Sequence, residues 1–169
     1  MGKLTGWVSY TLSWAYQQFD SLNYGNQFPF AYDKRHNLSI VATYDLTKKW
    51  TLSAAFVFTS GGAYTLPTGR AGVYGDGSLY DGTYNDYTAR NNYRYRDYNR
   101  LDLSAMYHWA SKIFGKKYQS ELVISVYNVY NRSNPYFIYL TKDPVTKNIK
   151  AIQVSLLPII PSINYNFKF

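Results

Sequence analysis

Two histidines, His36 and His108, are the first residues to test for catalytic or metal-binding work. They stand far apart in the sequence, no cysteine accompanies them, and neither sits in an HExxH motif or a repeated acid–histidine spacing. The glycine-rich stretch "SGGAYTLPTGRAG" lacks the Lys-Ser/Thr ending and the strand–helix flanks of a phosphate-binding loop, so it reads as a mobile loop. Asp76, Asp81 and Asp86 recur every five residues, the first two followed by glycine. They offer hard oxygen ligands without the spacing of an EF-hand, and read as solvated turns. The sequence therefore gives no catalytic residues, no cofactor site and no metal site, and the expectation is a protein that is not an enzyme.

One loop is richer. Tyr80, Tyr84, Tyr87, Tyr93 and Tyr95, interleaved with Arg90, Arg94 and Arg96, present flat stacking faces and bidentate donors. This chemistry suits sugars, anionic chelates or lipopolysaccharide phosphates, and the eight residues are the candidate ligand contacts. Nucleic acid would use similar chemistry, but the strands on either side argue against it.

Those strands dominate the sequence. Apolar and polar residues alternate with a period of two in six segments: "GWVSYTLSWAY", "HNLSIVATYDL", "WTLSAAFVFT", "RLDLSAMYHW", "SELVISVYNVY" and a C-terminal one. The last is expected to start near Lys150, with a bulge or kink at Pro158 and Pro161. Each segment is about ten residues long, the length at which a tilted strand crosses a bilayer. No run approaches the roughly 18 apolar residues of a membrane-spanning helix. Twenty Tyr, nine Phe and four Trp are spread along the chain. Trp14, Tyr16, Tyr44, Trp50, Phe58, Tyr107 and Trp109 fall near strand ends, as the interfacial girdles of a membrane barrel do. The opposite faces carry small polar residues.

The connections alternate strictly. "DLTKK" and "ASKIFGKK" are short and basic, whereas "QQFDSLNYGNQFPFAYDKR", Gly61 to Tyr98, and "NRSNPYFIYLTKDPVTKN" are long. Outer-membrane barrels place short turns at the periplasmic end and long loops outside. The net charge of +8 falls mainly in these connections and reads as a solvated rim. The expected fold is all-β: an antiparallel transmembrane β-barrel portion of about six strands, with long outer loops and short periplasmic turns.

The terminal "SINYNFKF" alternates to its last residue. Ile163, Tyr165, Phe167 and Phe169 are expected to face lipid on a closing strand, which must be fully paired. Segments such as "YDKRHNLSI", "YNVYNRSNP" and "IPSINYNFKF" resemble the C-terminal end of TonB-dependent outer-membrane receptors of the Bacteroidetes type, and the similarity covers essentially residues 1–169. Ala71 to Arg96 is the least family-like stretch. The resemblance implies a barrel of roughly 22 strands around a plug. It also implies energised import of siderophores, cobalamin, glycans or peptides, and a C-terminal signal for the barrel assembly machinery in the four alternating residues.

No plug, TonB box or signal peptide is visible, so the chain reads as the last six strands of a longer receptor, inactive in transport alone. Expected partners are outer-membrane lipid, lipopolysaccharide, the assembly machinery, the remaining barrel strands and, through the plug of the full-length protein, the TonB complex. A different class is a small self-contained structural or adhesion barrel of the outer membrane. It would need two more strands, and pairing of Pro135–Leu140 with Ala151–Leu156 would only lengthen existing ones. A third class is a soluble β-protein with carbohydrate-binding loops.

Overall fold

A computed structural model describes residues 3–73, 82–113, 116–146 and 149–168. The six alternating segments form six long strands: β1 (Leu4–Leu12), β2 (His36–Asp45), β3 (Trp50–Thr59), β4 (Tyr98–Ile113), β5 (Lys116–Tyr127) and β6 (Ile160–Lys168). They lie side by side in chain order as one open sheet, with β1 and β6 at its edges. The pairings from β2 to β6 are all antiparallel. The fold class is all-β, and among the described residues no helix is long and apolar enough to cross a membrane.

Strict alternation makes this register unambiguous, because a slip by one residue would turn every apolar side chain to the polar face. The β2–β3 hairpin is closed by Thr47, whose hydroxyl accepts from the N–H of Lys49 (3.2 Å) and of Trp50 (3.0 Å). The β4–β5 join is shorter than expected. Much of "ASKIFGKK" is strand, with Ser111 opposite Tyr118 and Ile113 opposite Lys116.

Three other boundaries differ from the sequence reading. The first strand ends at Leu12 instead of reaching Tyr16, and Tyr16–Gln17 pairs with Phe28–Pro29. Here the backbone finds other partners: Ser13 N–H donates to Arg35 O (3.0 Å) and Ala15 N–H to the Asp33 carboxylate (2.9 Å). The last segment is two elements. Ile149–Ser155 pairs with Pro135–Lys142 as a separate ribbon, with Leu140 opposite Ala151, and only Ile160–Lys168 joins the sheet. Left-handed Leu157 (φ 58°), followed by Pro158, breaks the chain between them. Finally, the Gly61–Tyr98 connection holds two ribbons, Ala63–Tyr64 with Tyr93–Arg94 and Gly69–Val73 with Gly82–Asp86.

The chain divides into two compact units. The sheet unit comprises residues 1–11, 36–59 and 97–169; the loop unit comprises residues 12–35 and 60–96. Among the described residues the buried apolar side chains are Phe28 and Ala63, both in the loop unit. In the sheet unit the buried side chains are Thr59, Ser120, Asn128 and Asn134, all polar. A water-soluble domain has the reverse arrangement.

Candidate functional site

The sheet has two chemically distinct faces, each continuous across the strands. On one, the register aligns Tyr44, Leu52, Ala105, Ile124 and Ile163 in a single row from β2 to β6. The neighbouring row on this face is Trp50, Tyr107, Leu122 and Tyr165. One residue along, on the other face, Thr43, Ser53, Ser104, Ser125 and Ser162 form a row of five hydroxyls. Adjacent hydroxyls meet at 3.2 Å (Thr43–Ser53) and 2.7 Å (Ser125–Ser162). Further along this polar face His108 Nδ1 lies 3.5 Å from the Glu121 carboxylate, which also accepts from Asn166 Nδ2 at 3.0 Å. His36 meets the Tyr10 hydroxyl at 2.8 Å. The two histidines thus serve different strand pairs and share no site.

Near the short turns the apolar face is aromatic. Rings run in contact from Trp50 to Tyr107 (4.8 Å), Trp109 (5.5 Å), Tyr165 (5.8 Å) and Phe167 (6.2 Å). The run passes over Ser120, which is buried beneath it and bonds the Tyr165 hydroxyl at 3.1 Å. Of the four terminal residues singled out by the sequence, Ile163 is 71% exposed and Phe167 61% exposed. Tyr165 is also exposed, and Phe169 lies outside the described residues.

Where β5 ends, three asparagines replace strand pairing. The Asn134 side chain bonds both backbone groups of Asn99, accepting its N–H at 3.0 Å and donating to its carbonyl at 2.9 Å. Asn128, fully buried and left-handed (φ 53°), donates to Arg132 O and Leu157 O and accepts from Arg132 N–H. The Asn131 carboxamide accepts Ile159 N–H at 3.0 Å. These contacts give "YNVYNRSNP" a structural meaning: its amides satisfy backbone groups the ladder has abandoned.

In the loop unit the eight Tyr/Arg candidates separate. Tyr80 lies outside the described residues, as do Asp76 and Asp81. Tyr84 stands opposite Ala71 in a ribbon, its side chain outside the described set. Tyr93 and Tyr95 pack on Tyr64, edge-on at 5.3 Å and stacked at 4.4 Å. Burial pushes the Tyr64 phenol above its usual range, and Tyr93 and Tyr95 add to the shift. Arg96 is exposed.

Arg94 is held within the fold. One of its nitrogens bonds the Asp33 carboxylate, and another donates to Asp33 O (2.7 Å) and Gly61 O (3.1 Å). Asp33 is 1% exposed, with Arg35 3.7 Å away. Burial pushes its carboxyl pKa up. The Arg94 and Ala15 hydrogen bonds and the two guanidinium charges outweigh that and hold it below the usual range. Tyr87 and Arg90 instead line a cleft of about 760 Å³ with Asp20, Tyr24, Thr65 and Thr88.

Sequence reasoning missed Asp33, Asp20 and Tyr24. All three lie in "QQFDSLNYGNQFPFAYDKR", which has no period to read; the clue available was its density of aromatic, acidic and turn-forming residues. No protein-family model, curated protein or solved structure matches the chain.

Proposed function

We propose that the chain is the C-terminal barrel portion of a TonB-dependent receptor in a Gram-negative outer membrane, and that it takes part in ligand import as part of the larger receptor. The observation that carries this reading is the two-faced sheet: an apolar row exposed on one side, a hydroxyl row on the other, and no buried apolar side chain among the sheet unit's described residues. Apolar burial is the main driving force of folding. A sheet that buries little of its own needs an apolar surrounding, and acyl chains provide it on one face only. The hydroxyl face then lines a wet or plugged lumen.

The free edges of β1 and β6 favour incorporation into a larger barrel, because unpaired strand groups are costly in hydrocarbon. Remaining barrel strands cover them in this reading. The aromatic run sits at the interface, the terminal alternation is the handle for the assembly machinery, and the loop unit meets lipopolysaccharide and ligand outside. The TonB complex acts through the receptor's plug, and nucleic acid has no part.

The test is folding of the full-length receptor, whose remaining strands cover both edges of this sheet, into phosphatidylcholine vesicles whose acyl chains carry bromine. Tryptophan fluorescence should be strongly quenched, with β-structure retained after an alkaline wash. A monodisperse, folded chain in detergent-free buffer would sink the reading. In the full-length receptor, Phe169→Ser should reduce membrane yield; an unchanged yield argues against the assembly role.

A further inference from the structure

The cleft beside Tyr24 has a specific composition. Asp20 and Arg90 line it together, along with Tyr24, Tyr87, Thr65 and Thr88. Among the described residues neither charge belongs to an ion pair. An acid and a base thus share one cleft without neutralising each other.

The aromatic wall is presented by an unusual turn. Asn23, Tyr24 and Gly25 are all left-handed, with φ of 53°, 57° and 75°. Such a conformation is uncommon for a ring-bearing residue, and it persists only where surroundings over-determine it. Here they do. Gln18 Nε2 donates to Gly25 O at 2.7 Å, Asn26 N–H to Asn23 O at 3.0 Å, and Arg90 N–H to the Asn23 carboxamide at 3.1 Å. The last bond ties the turn to the residue that carries the cleft's positive charge. The result is a fixed turn whose Tyr24 ring is 92% exposed.

We propose that this cleft binds a zwitterionic ligand, a short peptide with free termini. Its ammonium group sits against the Asp20 carboxylate and the faces of Tyr24 and Tyr87. Its carboxylate takes the Arg90 guanidinium, and the Thr88 hydroxyl donates to a peptide carbonyl between, the Thr65 hydroxyl being bonded to Asn91. A cation over a tyrosine face and a carboxylate on an arginine fork are both favourable pairings. A volume of about 760 Å³ falls in the usual range for small-ligand sites. The inference deepens the receptor reading and rests on it for its biological sense, but binding is measured separately from membrane insertion.

The experiment is calorimetric titration of the full-length receptor in detergent micelles with Ala-Tyr-Ala, its N-acetylated form, its C-amidated form and phosphoethanolamine. The free tripeptide should bind, and capping either end should weaken binding about tenfold, the loss of one charge-assisted contact. Asp20→Asn should weaken the free peptide by as much and the acetylated one no further. Arg90→Gln should pair with amidation in the same way. Tyr24→Asn, which tolerates the left-handed turn, should weaken every peptide. Equal affinity for capped and free peptides overturns the proposal, and so does binding of phosphoethanolamine alone, which would assign the cleft to a lipid headgroup. A receptor that enters brominated vesicles but binds no peptide overturns the proposal and leaves the receptor reading standing.

Discussion

The side chain of Asn134 pairs with the backbone of Asn99 as another strand would, accepting its N–H at 3.0 Å and donating to its carbonyl at 2.9 Å. The ladder between β4 and β5 thus gains one more rung after β5 has ended. Asn134 is buried, so its loss strands two backbone groups away from water. Asn134→Leu should cost about 2–4 kcal/mol, one unmet donor and one unmet acceptor. Asn134→Asp, which keeps only the acceptor, should fall between. Urea unfolding of the vesicle-folded receptor measures both.

The faces of the sheet give the sharpest pair of substitutions. Ile124 and Ser125 are neighbours in sequence but lie on opposite faces. A lysine on a lipid-facing strand position costs about 2–4 kcal/mol near mid-bilayer. Ile124→Lys should show that loss in vesicles, while Ser125→Lys should stay within about 1 kcal/mol, as ordinary wet-surface changes do. Equal effects would mean that lipid does not distinguish the faces.

Asp33 should make the loop unit acid-sensitive. Its carboxyl is held below the usual range, so the folded state favours the ionised form. The unfolded state, with a pKa of about 3.9, binds the proton first, so stability from this group is present above about pH 4 and is lost as pH falls through the folded value. The protection factor of the Ala15 amide, whose N–H bonds Asp33, should be high at neutral pH and fall below that point. Asp33→Asn should abolish the pH dependence. Arg94→Met, which leaves the buried carboxylate without its main partner, should cost about 3 kcal/mol at neutral pH.

Gly6 should resist enlargement. A Cβ there would meet the Val41 carbonyl oxygen on the neighbouring strand, and backbone does not yield as a side-chain tip does. Gly6→Ala should loosen β1 from β2, seen as faster exchange of the Asp45 amide, which donates to Lys3 O at 2.8 Å.

The six long strands were legible because a half-buried strand prints its pleat as a period of two, and Leu103, Ala105 and Tyr107 cannot slip without reversing faces. What failed to print was everything held by side-chain amides and charges. Asn128, Asn131 and Asn134 look like loop residues in sequence, yet they shape the departure from β5. The break at Leu157 has no composition of its own beyond the proline that follows, so "AIQVSLLPIIPSINYNFKF" reads as one kinked strand. Arg94 reads as a surface donor because its partner, Asp33, is 61 residues away. The same blindness hid Asp20 and Tyr24, which meet Arg90 only after the loop unit has folded.

The aromatic run also gives this protein an optical signature. Trp109 on β4 and Tyr165 on β6 stack at 5.8 Å across the width of β5. Two rings that close and fixed in orientation couple their electronic transitions, and near-ultraviolet circular dichroism registers that coupling. A chain with only β4 and β5 paired lacks it. The contribution of this pair should therefore appear in a refolding experiment only once β6 has paired with β5, and it needs no label to be seen.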